Sequence, residues 1–299
     1  MNTPSHVCIV GGAGFIGTKI TEALLARGDR VLVVDVAAPR ITHEHLTSLV
    51  HDFSVSELPP EKLEGITAVI NLAGVSIGKR WSSAYKKKIY DSRILTTRSL
   101  VATISKMSNK PSVFVQASAV GIYGDRGSEL LTEESSAGSD FLANLCVDWE
   151  AEARKIESLG VRYVALRTAN VLGPGGLLAT LKPIFSRGLG GYFGDGKQYM
   201  PWVHWRDIVG MYIFAIDSQI RGVFNTGSGI TPSQKELFSA FARSIRSRFL
   251  WRIPYFVASV IFGSFVRALV SSQNTDSAKI RDAGYVFEKP VLDEALLDS

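Results

Sequence analysis

The chain has 299 residues, 46% of them apolar and 20% charged, with 27 Gly and 11 Pro. That composition supplies a sizeable core in one or two domains and excludes a disordered or fibrous protein. The 33 Lys plus Arg against 28 Asp plus Glu leave a formal charge of +5, too small an excess at this length to call for a nucleic-acid partner.

His6 to Val10 is an apolar run that reads as a first strand and not as a signal peptide, since no Lys or Arg precedes it. GGAGFIG follows at 11–17, and then Ile16, Ile20, Ala23, Leu24 and Ala26 repeat at helical spacing up to a stop at Gly28. Val31 to Val34 is a second strand ending in Asp35, which closes one βαβ unit. Leu49 and Val50 suggest a short strand, Ala68 to Leu72 a buried one, and Ser82 to Met107 a long helix. Val113 to Ala117 is a strand that delivers Ser118, Phe141 to Leu159 a helix closed by Gly160, and Val161 to Leu166 a strand ending at Arg167. Strands without a polar face, alternating with helices, call for a parallel sheet covered on both sides.

After Gly173 the chain is expected to form glycine-rich loops and a short strand. A helix over Arg206 to Asp217 and a strand over Gly222 to Asn225 return to the sheet. Thr231 and Pro232 are expected to open a helix through Ile245, with further helices after Pro254, over Thr275 to Ala283 and over Val291 to Leu297. The fold class is therefore α/β: a Rossmann-type doubly wound parallel sheet with a small C-terminal α/β substrate domain. The expected division is 1–172 for cofactor and 173–299 for substrate, with 202–227 returning to the first core. The longest apolar stretch, Val257 to Val270, is broken by Ser259, Gly263, Ser264 and Arg267. It falls short of the roughly 20 residues a bilayer span needs, so no transmembrane segment is expected, and core, interface and membrane surface stay open for it. Arg243, Arg246, Arg248 and Arg252 precede it as a basic cluster.

Gly11, Gly14 and Gly17, with Phe15 and Ile16 between them, form a strand-to-helix turn at the right place for a dinucleotide pyrophosphate. Leu72, Ala73 and Gly74 at the end of a later strand complete the expected cofactor site. Asp35 suits an adenosine ribose and so NAD(H), whereas Arg40 is placed to reach the 2'-phosphate of NADP(H). Cys8 and Cys146 form neither a CxxC pair nor a disulfide framework, which points to a reducing, cytoplasmic setting, and no metal site is visible.

Four motifs, GGAGFIG at 11–17, NLAG at 71–74, SAVGIYG at 118–124 and LRTANVLGPGG at 166–176, resemble the extended short-chain dehydrogenase/reductase superfamily. NLAGVSIGKRW at 71–81, SRILTTRSL at 92–100, FLANLCVDWE at 141–150, the passage 188–209 and AGYVF at 283–287 narrow the resemblance. They are similar to the atypical "epimerase family protein" group of the NAD-dependent epimerase/dehydratase-like proteins, of the SDR39U1 and YfcH type. The resemblance implies an N-terminal Rossmann domain and a small substrate domain. It also implies a tendency toward NADP(H), usually with a basic residue just after the second strand, where this chain has Asp35 and Val36. Arg40 is then the remaining candidate for a phosphate contact, and the balance tips narrowly to NADP(H) over NAD(H).

The resemblance also implies a catalytic Ser with a Tyr-x-x-x-Lys pair. Ser118 matches the serine, but Phe141 and Leu145 stand where the Tyr and Lys belong. Tyr123, five residues past Ser118, is the nearest replacement for proton transfer, with packing against the nicotinamide or substrate as its alternative role. Trp81, Asn144, Trp149, Trp202 and His204 are the expected substrate-pocket residues, suited to a ring-shaped or partly apolar small molecule. For Trp149 the alternative is core, and for His204 a structural bond to Asp207. The expected function is that of an NAD(P)-dependent oxidoreductase or nucleotide-sugar epimerase-like enzyme, acting on a hydroxyl or carbonyl compound by hydride transfer as a monomer or homodimer. The alternative is a non-enzymatic NAD(P)(H) sensor or partner-binding protein, motivated by the missing Tyr and Lys.

Overall fold

Val7, Cys8, Ile9 and Val10 are all buried, at most 3% exposed, as a central strand covered on both faces must be. In the computed structural model, which describes residues 5–247 and 249–298 without the side chains of 261 and 262, this strand is β1 (His6–Val10). The chain continues through α1 (Phe15–Ala26), β2 (Arg30–Asp35), β3 (Leu46–Val50), β4 (Ala68–Asn71), α2 (Ser83–Ser105) and β5 (Val113–Ala119). Next come β6 (Leu130–Leu131), α3 (Phe141–Arg154), β7 (Arg162–Thr168), β8 (Asn170–Leu172), α4 (Gly176–Ser186) and β9 (Gly191–Phe193). After β10 (Trp202–His204) follow α5 (Trp205–Asp217), β11 (Gly222–Asn225), α6 (Gln234–Ser244) and β12 (Trp251–Ile253). The last elements are α7 (Tyr255–Phe262), α8 (Val266–Val270), β13 (Asn274–Thr275), α9 (Ala278–Asp282) and α10 (Leu292–Leu297).

Seven strands make one parallel sheet in the order β11-β7-β5-β4-β1-β2-β3. β1 pairs with β2 on one side and with β4 on the other, so the connections that follow β1 and β4 run in opposite directions and open a crevice at the C-terminal ends of these strands. Alternate strand residues serve the two faces. Val7, Ile9, Val31 and Val33 pack with Ile20 and Leu24 of α1 and Ile208 and Met211 of α5. Cys8, Val10, Leu32 and Val34 pack with Leu100, Val101 and Ile104 of α2.

A second core, built from Leu178, Phe185, Trp202, Leu237, Phe238 and Phe241, forms the additional C-terminal α/β subdomain. The short parallel pairs β8 with β10 and β9 with β12 belong to this region. α5 and β11 instead serve the main sheet, as do Ile280 and Tyr285 near the end of the chain.

Several expectations after Gly173 are corrected. The loop expected before Gly188 contains α4, whose Leu178 and Phe185, two turns apart, are buried in the second core. Its glycines open the helix instead of breaking it: Gly175 is the N-cap, and Gly176 has φ +66°. The helix expected from Thr231 begins at Gln234, because Ser233 and Glu236 form a reciprocal capping box. The apolar stretch is interrupted at Gly263, which has φ +58°, between α7, which exposes Phe256 and Val260 and buries Ala258, and α8, whose Val266 packs with Ala258 and Phe193. Among the described residues no helix is long and apolar enough to cross a membrane. Arg248 of the basic cluster lies outside the described residues.

Candidate functional site

The glycine-rich turn is sterically forced at three positions and open at the fourth. Gly11 has φ +82°, and a Cβ there would lie 2.8 Å from the backbone N of Ala73. At Gly12 a Cβ would meet the Val33 side chain at 2.9 Å, and at Gly17 it would meet the Gly12 Cα at 2.6 Å. At Gly14 it would meet only the Gly11 carbonyl, at 3.4 Å. Helix α1 has no side-chain cap and no acidic residue in its first turn, which leaves the first-turn N–H groups of Phe15 and Ile16 directed at this open space. Such a cradle fits a dinucleotide pyrophosphate.

Asp35 at the end of β2 accepts hydrogen bonds from the Ala13 N–H through Oδ2 (2.9 Å) and the Val36 N–H through Oδ1 (2.7 Å). It ties the turn to the strand end and places a carboxylate beside it. Arg40 is exposed on the following loop. Leu72 donates its N–H to the Val10 carbonyl (2.8 Å), and the Ala73 N–H reaches Asn71 Oδ1 (3.3 Å). Phe15 packs on Gly175, where a Cβ would fall 2.5 Å from its ring.

A cavity of about 250 Å³ opens at the C-terminal ends of β4, β5 and β7, against the N-terminal half of α3. Its walls include Ile16, Leu72, Ser118, Leu142, Leu145, Cys146, Trp149 and Arg93. Ser118 is delivered by β5 in register with Arg167 of β7, and Glu150 on α3 reaches both. The Ser118 Oγ–H donates to Glu150 Oε1 at 2.6 Å. Arg167 Nε donates to the same oxygen at 2.9 Å, and Nη2 donates to Oε2 at 3.0 Å. Both side chains of this ion pair are only 9% exposed. Burial alone would lower the Arg167 pKa, but the hydrogen bonds and charge of Glu150 outweigh it and raise it, so the guanidinium stays charged.

Tyr123 is fully buried and does not line the cavity. Its hydroxyl donates to Asn225 Oδ1 (2.7 Å) and accepts from Arg167 Nη1 (2.9 Å). Burial, opposed in part by Arg167 and Asn225, raises its pKa. Neither the expected proton-transfer role nor packing against the nicotinamide or substrate suits a phenol locked behind Arg167 and off the cavity wall.

Of the residues expected in the substrate pocket, Trp149 lines the cavity, with its Nε1–H donating to Thr97 Oγ1 at 2.9 Å. The other four do not line it. Trp81 packs edge-on against Phe141 at 5.4 Å and donates to the Ile77 carbonyl at 2.9 Å. Trp202 is buried in the second core, because its strand pairs with β8 and turns the indole toward α6. Asn144 is exposed and donates to the Ser139 carbonyl at 3.2 Å. His204 is fully buried at the start of α5, where Nδ1 accepts the Arg206 N–H at 3.4 Å. Burial lowers its pKa, against the charge of Asp207. The structural bond expected between His204 and Asp207 is replaced by another anchor: Asp207 accepts from the Glu288 N–H (2.7 Å) and the Lys289 N–H (3.0 Å).

Leu145 lines the cavity, while Phe141 packs under Trp81 and Lys86. The Cys146 thiol also lines it and is pushed up to about 12 by burial, which keeps it protonated and unreactive near neutrality. Three participants carry little signal in the sequence: Glu150 offers only a polar contact for a ligand, Arg167 ends a strand, and Arg93 stands inside the SRILTTRSL run. Among the described residues no three His, Cys, Asp or Glu side chains are grouped to hold a metal ion.

A seven-stranded parallel sheet with an open glycine turn after its first strand and a serine at the end of β5 defines an NAD(P)-binding protein of the extended reductase class. The model of the NAD dependent epimerase/dehydratase family matches residues 7–227, and the chain belongs to that family, within its epimerase family protein group. It is 36% identical to Epimerase family protein Mb2239 of Mycobacterium bovis over 294 residues, 97% of this chain and 96% of that protein. To Epimerase family protein SDR39U1 of Bos taurus it is 34% identical over 306 residues, 97% of this chain and 98% of that one. The crystal structure of human epimerase family protein SDR39U1 (isoform 2) with NADPH superposes with a TM-score of 0.85 at 30% identity, covering 98% of each chain.

Proposed function

We propose that the protein catalyses reversible hydride transfer between a nicotinamide dinucleotide and a hydroxyl or carbonyl compound, with Ser118 and Glu150 replacing the missing Tyr and Lys. The observation that carries this is the 2.6 Å bond from the Ser118 Oγ–H to Glu150 Oε1 at the cavity wall. When bound, the nicotinamide supplies a hydride acceptor or donor. Ser118 then accepts the proton of the substrate hydroxyl on a lone pair of Oγ and passes its own proton to Glu150, so the alcohol loses one hydride and one proton. In the reverse direction Ser118 returns a proton to the carbonyl oxygen. Arg167 holds Glu150 in place with a hydrogen bond to each carboxylate oxygen.

For the cofactor, the turn from Gly11 to Gly17 and the ends of β1 and β4 hold the pyrophosphate and the nicotinamide half. The NADPH bound to the human relative supports NADP(H), as does the narrow preference drawn from the resemblance. The fixed carboxylate of Asp35, with Arg40 exposed beyond it, weighs more against a 2'-phosphate, and we read the chain as favouring NAD(H). We assign cofactor binding to 1–172 with 202–227, and substrate closure to the rest of 173–299.

The binding-protein reading is favoured by one observation: the wall where an ammonium would stand is apolar, with Leu145 on the cavity. Nicotinamide absorbance on a panel of alcohols and carbonyl compounds decides between the two. Turnover that disappears in Ser118→Ala supports the enzyme, and complete silence with bound cofactor overturns it.

A further inference from the structure

Arg93 is the one formally charged side chain among the described residues that line the cavity. It projects from α2, and its Nη1 donates to the carbonyls of Val75 (3.1 Å) and Ile89 (3.2 Å). No carboxylate among the described residues pairs with it, in contrast to Arg167, which holds Glu150. Its Cζ lies 5.1 Å from the centre of the Trp149 ring, so the indole face steadies the cation from within the same cavity. A Cβ at Gly74 would fall 2.7 Å from that Cζ, so the absence of a side chain at 74 gives the guanidinium its room.

A cation held this way is built for a ligand. Two backbone carbonyls fix it through Nη1, and the Nε and Nη2 donors are left without a protein acceptor among the described residues. These two donors form the edge of the guanidinium that matches the two oxygens of a carboxylate. The other walls, Leu72, Leu142, Leu145 and the neutral Cys146, are apolar and strengthen any charge pair formed between them. Burial lowers the Arg93 pKa, partly opposed by Cys146 and Tyr85, the sign of a charge that lacks a counterion.

We propose that Arg93 is a specificity-determining residue that takes the carboxylate of a small hydroxy- or oxo-acid, whose flat or apolar body packs against Trp149. The proposal rests on the cavity being the reaction chamber of the proposed function, and it narrows the substrate class to organic acids. A cavity of about 250 Å³ suits an acid of this size.

Calorimetric titration of the whole protein tests it with two matched pairs, phenylpyruvate against phenylacetone and benzoate against benzamide, each with and without saturating NAD+, which has no hydride to give the ketones. Each acid is expected to bind at least tenfold more tightly than its uncharged partner. Arg93→Gln is expected to abolish that preference while changing the NADH Kd less than twofold, and Arg93→Lys to restore part of it. Equal binding within each pair, or no binding of either acid, overturns the proposal. So does an Arg93→Gln variant, folded by circular dichroism, that loses NADH affinity as steeply as acid affinity, since the cation would then serve the cofactor. The wild-type comparison does not depend on any variant folding. A wild-type protein that prefers the acids yet fails to bind either dinucleotide sinks the hydride-transfer reading alone.

Discussion

Ser118 on β5 and Glu150 on α3, 32 residues apart in the chain, meet in a 2.6 Å hydrogen bond, with Arg167 donating to both oxygens of the carboxylate. The serine proton is thereby committed to a buried base, and the lone pairs of Oγ are left for the cavity. Ser118→Ala is expected to lower the single-turnover hydride-transfer rate by about 10²-fold or more, with the dinucleotide Kd unchanged within twofold. Glu150→Gln should lower the rate too, but it also leaves Arg167 buried and unpaired. Its unfolding free energy is expected to fall by about 3–5 kcal/mol, read from urea denaturation, whereas Ser118→Ala should stay close to wild type.

Two glycines of the turn are expected to fail in different ways. At Gly14 the added side chain of Gly14→Val points into open space next to the helix N-terminus, so the protein should fold and lose dinucleotide binding. At Gly17 a Cβ would sit 2.6 Å from the Gly12 Cα, and Gly17→Ala should lower Tm before any ligand is added. Melting curves alongside fluorescence titration of NADH separate the two effects.

Asp35→Asn removes the charge beside the turn and keeps an oxygen for the Ala13 N–H. NADPH affinity is expected to rise at least tenfold relative to NADH, a change of about 1.4 kcal/mol. If Asp35→Asn leaves the ratio unchanged, the carboxylate does not govern cofactor choice. Wild-type protein that binds NADPH more than tenfold tighter than NADH would count against the NAD(H) reading, and Arg40→Ala would then be expected to weaken NADPH selectively.

Phe141→Tyr combined with Leu145→Lys rebuilds the usual pair in sequence only. Leu145 is 2% exposed among Ile89, Ile94 and Trp149, and a lysine there meets apolar walls and the Arg93 cation. The double variant is expected to be less stable than wild type and to show no nucleotide-sugar epimerisation. Thermal melts and an assay with UDP-glucose check this. Efficient epimerisation would mean that the ordinary geometry survives in the fold.

Both thiols have pKa values raised by burial from 9.0 to about 12. In the unfolded chain they ionise at the ordinary value, so between pH 9 and pH 12 the unfolded state carries fewer protons than the native one. Stability is therefore complete below pH 9 and falls as pH rises toward 12. Denaturation midpoints across that range should decline, and the decline should be shallower in Cys8→Ala and Cys146→Ala relative to each variant's own neutral value. A slope identical to wild type in both would show that the thiols do not contribute.

The βαβ unit and its glycine turn were legible because their signals are local. A strand, a helix and the bend between them are set by residues within one short window, and the steric demands at Gly11 and Gly17 arise inside that window or from the neighbouring strand end. The same holds for β5 and for α3, which a 3-10 turn over Lys155–Leu159 carries on to the stop at Gly160. Helix α4 was missed because Gly173, Gly175 and Gly176 signal a break from either side, and only the second core shows that Leu178 and Phe185 have a surface to bury against. The aromatic residues divided for a similar reason. Trp149 and Trp202 look alike in sequence, but one stands on a helix facing the cavity and the other on a short strand facing α6. Tyr123 lies five residues from Ser118, yet the turn after β5 carries it behind Arg167. The pairing of Ser118 with Glu150 and the solitary charge of Arg93 leave no local pattern at all, because each depends on which side chains from distant helices reach one strand end and which carboxylates do not.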